Sequence, residues 1–259
     1  VLVLVIARRE ARALLKALTW RIALIYLLAG SLLAANWLTY IWAVTNGNVL
    51  ESSLGYFINP LVNVLLGMVF LRERLRPWQW LAVGLATGGV VYLTLGYGRL
   101  PWIAMILAVT FGFYGLSKKL APLGPLQGLT LETGILVLPA LGYLIAGAAG
   151  GWGVFGKLSP LPTALLMLSG VVTSIPLLLF AEGARRIPMT LLGVLQYVSP
   201  TLQFLLGTLV YREPFTAARL VGFAAIWAAL VLYTAEGVAV RRRQPALGAV
   251  TVARAEQGD

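Results

Sequence analysis

The side chains best suited to chemistry are amides and tyrosines set inside long apolar runs. Tyr56, Asn59 and Asn63 follow one another at i, i+3 and i+7, so on a helix they share one face. Gln196, Ser199 and Gln203 repeat that spacing further along. Polar groups surrounded by apolar sequence are costly in lipid and are candidates for function. Amides both donate and accept hydrogen bonds, which suits an uncharged or zwitterionic solute. Two matched stripes facing a common axis would line a substrate pathway. The competing reading is interhelical adhesion, worth about 0.6–2 kcal/mol per bonded amide. Asn36 and Tyr40, four apart and flanked by Trp37 and Trp42, would add an aromatic wall to the pathway. Trp42 reads as an interfacial anchor.

Pro60 and Pro200 lie inside these same runs. Each removes an amide donor and frees the carbonyl four residues back, at Tyr56 and Gln196, so each marks a kink or gate. Glu132 falls about six residues into its apolar run, roughly 9 Å deep at helical rise. It could bind a proton or a cation and couple transport to a gradient. Its position near a helix start also fits an interfacial carboxylate favoured by the helix dipole, and the sequence favours that blander reading. Tyr114 is a weaker candidate. Glu51 stands at capping-box spacing from Asn48, Glu182 can pair locally with Arg185 and Arg186, and Arg72-Glu73 reads as a helix end. Gly84 and Gly88 form a small-xxx-small face suited to packing.

The elements that must hold these residues are transmembrane helices. Of 259 residues, 59% are hydrophobic and 11% charged, with a mean hydropathy of +0.87, too little charge to cover a water-soluble domain. The apolar blocks do not alternate as barrel strands would, so helices must satisfy the backbone within the lipid. Eight spans are predicted: Ile22–Val44, Val49–Leu71, Trp78–Leu95, Trp102–Ser117, Leu126–Gly147, Thr163–Glu182, Met189–Tyr211 and Ala217–Ala235. The apolar stub Val1–Ala7 reads as the tail of a further helix. Cysteine and histidine are both absent, which removes thiol chemistry, Cys/His metal sites and the commonest general base. An intramembrane enzyme is therefore a weak reading, and no metal or cofactor is expected. No nucleotide-binding GxxxxGK[ST] motif occurs, so any transport would draw on a gradient.

The formal charge of +11 follows membrane topology rather than nucleic acid. With Arg8–Arg21 placed in the cytoplasm, alternation puts 16 of the 20 Lys and Arg residues on that side. Only Arg99, Lys157, Arg212 and Arg219 fall opposite, as the positive-inside rule expects. The C-terminus is then cytoplasmic, and residues 241–259 read as a short disordered tail.

Shifted by 140 residues, Phe57-Ile58-Asn59-Pro60 falls on Tyr197-Val198-Ser199-Pro200, Leu65-Leu66-Gly67 on Leu205-Leu206-Gly207, and Arg72-Glu73 on Arg212-Glu213. An odd number of helices separates the copies, so they have opposite orientation. Inverted repeats of this kind build many secondary transporters, with the substrate between the halves. Five helices per half fits the offset. The expected fold is thus an all-α integral membrane protein, an inverted repeat of two five-helix halves in a ten-helix design. Residues 1–98 form a truncated first half, lacking the first helix and most of the second, and residues 99–240 form the second half.

The run Asn36-Trp37-Leu38-Thr39-Tyr40-Ile41-Trp42-Ala43 and the segment Leu54-Gly55-Tyr56-Phe57-Ile58-Asn59-Pro60-Leu61 resemble the RarD branch of the EamA-like drug/metabolite transporter superfamily. So do Ala181-Glu182-Gly183-Ala184-Arg185-Arg186-Ile187-Pro188 and Leu195-Gln196-Tyr197-Val198-Ser199-Pro200. The resemblance implies ten helices in two inverted halves, multi-pass insertion in the bacterial inner membrane, and permease activity named for a chloramphenicol-sensitivity phenotype. The expected function is alternating-access transport of a small organic solute. The partners are that solute and the lipid bilayer, with a homodimer compatible and no nucleic acid. The alternative class is a non-transporting assembly or regulatory subunit, or a truncated relic.

Overall fold

The computed structural model describes residues 14, 16, 18–96, 98, 100–155, 157–205, 209 and 217–256, with side chains for all of these but residues 50, 203, 204, 217–219 and 241–256. The stub Val1–Ala7, the pair Arg212-Glu213 and the Gln203 side chain lie outside the described residues.

Nine helices are found among them: α1 (Trp20–Thr45), α2 (Val49–Leu71), α3 (Pro77–Leu95), α4 (Trp102–Leu120), α5 (Pro125–Ala149), α6 (Pro160–Arg186), α7 (Met189–Gln196), α8 (Val198–Leu205) and α9 (Ala217–Glu256). Their starts follow local chemistry. Thr19 accepts the Ile22 N–H at the head of α1, as an N-cap should. Pro77, Pro125 and Pro160 open α3, α5 and α6, where a missing N–H costs nothing. At the end of α2, Arg72 takes a left-handed conformation (φ 55°), and the Glu73 N–H returns to the Gly67 carbonyl, closing the helix as a C-cap motif does.

Seven of the helices are long and apolar enough to cross a bilayer. The remaining expected span, Met189–Tyr211, instead begins as the two short helices α7 and α8, interrupted at Tyr197. The break falls three residues before Pro200, which has no N–H to give the Gln196 carbonyl. In contrast, α2 runs unbroken through Pro60. At the other end, α9 continues to Glu256, where the composition predicts a disordered tail from Arg241.

Helix α2 is the hub. It packs most extensively on α4 and α7, while α3 pairs with α9 and α1 with α4 and α5. Close approach depends on small residues, as is usual where lipid removes the hydrophobic drive between helices. A Cβ at Gly193 would lie 2.5 Å from the Pro60 carbonyl oxygen, and one at Gly112 would lie 2.7 Å from Val62. The small-residue contact of α3 is made by Gly89, whose added Cβ would meet the Gly222 carbonyl at 2.9 Å. Gly84 and Gly88, the pair predicted to pack, face open space. The outer face of α6, including Leu165, Leu168, Val172 and Leu179, is exposed and apolar, as lipid contact requires.

Candidate functional site

Three of the predicted polar residues meet where α2 crosses α7. Asn59 and Asn63 both donate from Nδ2 to Gln196 Oε1, each at 2.7 Å. Asn63 also donates to the Asn59 backbone carbonyl at 3.2 Å. Asn63 is fully buried and Asn59 nearly so. Gly193, one turn before Gln196, lets the helices approach closely enough for these bonds. Asn63 Oδ1, Gln196 Nε2 and the Tyr197 hydroxyl are buried and find no partner among the described residues. Unmet polar atoms are rare in native interiors and call for an explanation. The adjoining crevice, of only about 10 Å3 and lined by residues such as Leu61, Val64, Ala86 and Tyr233, is apolar and does not answer them.

Glu73 fixes the orientation of α7. Its two carboxylate oxygens accept the N–H groups of Met189 (2.7 Å) and Thr190 (2.8 Å), so a carboxylate just past α2 caps the start of α7, where the helix dipole favours negative charge. At the opposite end of α2, Glu51 is buried and accepts the Ile103 N–H at 2.8 Å, capping α4. The capping box expected with Asn48 does not form, since the Asn48 side chain makes no cap bond. Glu51 is recruited by the orphan amides of another helix instead.

The other candidates are dispersed. Asn36 is buried and donates to the Leu107 carbonyl (2.8 Å) and Thr110 Oγ1 (2.9 Å), tying α1 to α4. Tyr40 and Tyr56 pack edge to face with ring centres 6.3 Å apart, both partly exposed. Ser199 is exposed. Trp42 packs on Trp102 at 5.8 Å. Glu182 pairs with Arg186 one turn on, as the spacing predicts.

Glu132 lies inside the protein. It is fully buried, and its Oε1 lies 2.6 Å from Lys118 Nζ, a side chain only 3% exposed. The Tyr114 hydroxyl is 3.4 Å from Oε2. Lys118 reads from the sequence as a loop charge because it sits beside Lys119 at the end of an apolar run. The structure separates the two. Lys119 bonds the Ala184 and Ile187 carbonyls at the end of α6, while Lys118, one residue earlier on the helix, turns inward. The signal available was the i, i+4 spacing of Tyr114 and Lys118, which puts both on the face toward α5. Near the pair, Tyr26 donates to the Leu123 carbonyl and accepts its N–H. Arg185 bonds the same carbonyl, so α1 and α6 both hold the α4–α5 connection.

The comparisons with known proteins agree with this architecture. Residues 1–95 match the EamA-like transporter family. A Bacillus subtilis protein named uncharacterized transporter YojE is 48% identical, covering 83% of this chain and 72% of its own. A Streptomyces exfoliatus protein named RarD is 47% identical, covering 85% of this chain and 70% of its own. Escherichia coli RarD is 45% identical, covering 85% and 75%. One solved crystal structure shares the fold, with a TM-score of 0.64 at 21% identity over 92% of this chain and 83% of its own. With all-helical, bilayer-length elements and relatives this similar over most of its length, the chain is a multi-pass membrane protein that belongs to the EamA-like transporter family, in its RarD branch.

Proposed function

We propose that the chain is a secondary transporter of a small organic solute, working by alternating access between two inverted five-helix halves in a bacterial inner membrane, with its C-terminus in the cytoplasm. The observation that carries this reading is the amide cluster. Asn59 and Asn63 from one repeat copy bond Gln196 from the other, across the contact about which the halves would rock. In this closed arrangement the amides satisfy one another in part, and an acceptor (Asn63 Oδ1) and a donor (Gln196 Nε2) are left over. When α2 and α7 part, the same groups would be free to hold a solute. Pro200 and the break at Tyr197 give α7 a place to bend. Gln203, Ser199, Tyr40, Tyr56 and Asn36 extend the pathway, and Glu132 is the coupling candidate. Relatives named transporters support transport over catalysis.

The test is a comparison of extracellular and intracellular metabolites in cells producing the wild type or Asn63→Leu at equal membrane levels. The reading expects at least one small solute to redistribute with the wild type and not with the variant. Identical metabolite distributions in the two strains would refute it.

A further inference from the structure

The connection between α2 and α3 carries more charge than the fold uses. Its residues alternate in exposure: Arg72, Arg74 and Arg76 face out, and Glu73 and Leu75 between them are half-buried. Glu73 turns inward to cap α7, and Leu75 packs against the core that α2, α3, α7 and α9 share. Among the described residues, only Arg76 of the three arginines has an acid partner, Glu236 on α9 at 2.9 Å. Arg72 and Arg74 stand as two further guanidinium groups at the end of a membrane helix. Trp78 and Trp80 follow in the first turn of α3, 61% and 55% exposed. Indoles at a helix end mark the boundary between water and lipid. Leu81 and Leu85 are exposed as well. They share the Trp78 side of the helix at i+3 and i+7, about 4.5 and 10.5 Å further along it at helical rise.

The repeat supplies an internal control. Shifted by 140 residues, Arg74, Arg76, Trp78 and Trp80 fall on Pro214, Thr216, Ala218 and Leu220. Neither the two arginines nor the tryptophans recur, so the repeated architecture does not call for them. A topology signal accounts for positive charge, but not for indoles with an apolar stripe continuing beyond them. We propose that this corner binds one anionic phospholipid. Arg72 and Arg74 hold its phosphodiester, because the guanidinium fork matches phosphate oxygens. Trp78 sits at the level of the glycerol esters, and an acyl chain lies along Leu81 and Leu85. Cation, indole and leucine thus follow one another as head, backbone and tail do in a phospholipid. A soluble phosphate would use the arginines and leave the apolar stripe bare. A zwitterionic headgroup would set its own cation beside three guanidinium groups, so the lipid carries net negative charge. The site stands without the transport reading above.

The experiment uses the full chain in dodecyl maltoside, with dioleoyl phosphatidylglycerol and dioleoyl phosphatidylcholine as probes and native mass spectrometry to count bound lipid. The site predicts that the first lipid bound is phosphatidylglycerol, preferred by about fivefold per arginine. Arg72→Gln/Arg74→Gln loses this preference, and Trp78→Ala weakens binding. Lys157→Gln/Arg186→Gln removes as much charge elsewhere and keeps the preference. If the arginine variant does not fold, competition on the wild type decides: excess glycerol 3-phosphate leaves phosphatidylglycerol bound. Equal binding of the two lipids by the wild type overturns the proposal. So does an unchanged preference in Arg72→Gln/Arg74→Gln, full affinity in Trp78→Ala, or an equal loss in Lys157→Gln/Arg186→Gln. Displacement by glycerol 3-phosphate overturns it too, since that would mark a site for soluble phosphate. None of these measurements requires transport, so either outcome leaves the amide pathway to its own tests.

Discussion

Glu73 closes the N-terminus of a helix that begins 116 residues later, by accepting the Met189 amide at 2.7 Å. The same carboxylate takes the next amide, at Thr190, so the end of α2 sets where α7 starts and, through it, where Gln196 points.

Removing that carboxylate should therefore loosen α7. Glu73→Ala is expected to cost about 1–2 kcal/mol, the usual loss of a helix cap, and Glu73→Gln less, because one acceptor oxygen remains. Gly67→Ala should reproduce part of the loss, since its Cβ would stand 2.8 Å from Glu73 Oε2. The check is the midpoint of denaturant-induced unfolding in dodecyl maltoside. Equal midpoints for Glu73→Ala and the wild type would show that the bonds contribute nothing.

The glycines of α3 offer a paired comparison. Gly89→Leu would drive a side chain into the Gly222 backbone of α9, and overpacking of this kind costs about 1–3 kcal/mol. Gly84→Leu faces open space and should be neutral in a bilayer. Monodisperse yield after solubilisation is the measurement, with Gly89→Leu expected to fall and Gly84→Leu to match the wild type.

How much of this was legible from residue types differs element by element. The long helices were, because lipid allows few alternatives to a continuous apolar helix, and their ends fell at prolines and glycines with known preferences. The meeting of Asn59, Asn63 and Gln196 could be anticipated, since a polar stripe recurring in both copies has few places to go but toward its counterpart. A bend was expected at both Pro60 and Pro200, but that only the second helix is interrupted, at Tyr197, was not legible, because the two prolines are equivalent in sequence and only tertiary context tells them apart. Lys118 was hidden for a related reason. A lysine at the end of an apolar run reads as a loop charge, and only the tertiary structure shows it turned inward to Glu132. Glu51 and Glu73 were read through their own helices, whereas the amides they satisfy belong to helices distant in sequence.

Orientation is directly measurable because the chain contains no cysteine. The charge distribution predicts that Gly98→Cys and Ser159→Cys react with an impermeant thiol reagent added outside intact cells, and that Arg74→Cys and Pro122→Cys react only after the membrane is opened. The reverse pattern would invert the topology.

The central claim is that the amides of α2 and α7 handle solute and do not merely join helices. A single substitution cannot separate these roles, because it leaves an unmet partner behind. The double variant Asn63→Leu/Gln196→Leu replaces both sides of the bond by apolar groups and preserves an apolar helix contact. Its membrane level and unfolding midpoint are measured beside the redistribution of whichever solute the wild type moves. The account predicts a folded, inserted protein that moves that solute no faster than cells lacking it. A double variant that transports at the wild-type rate would contradict it.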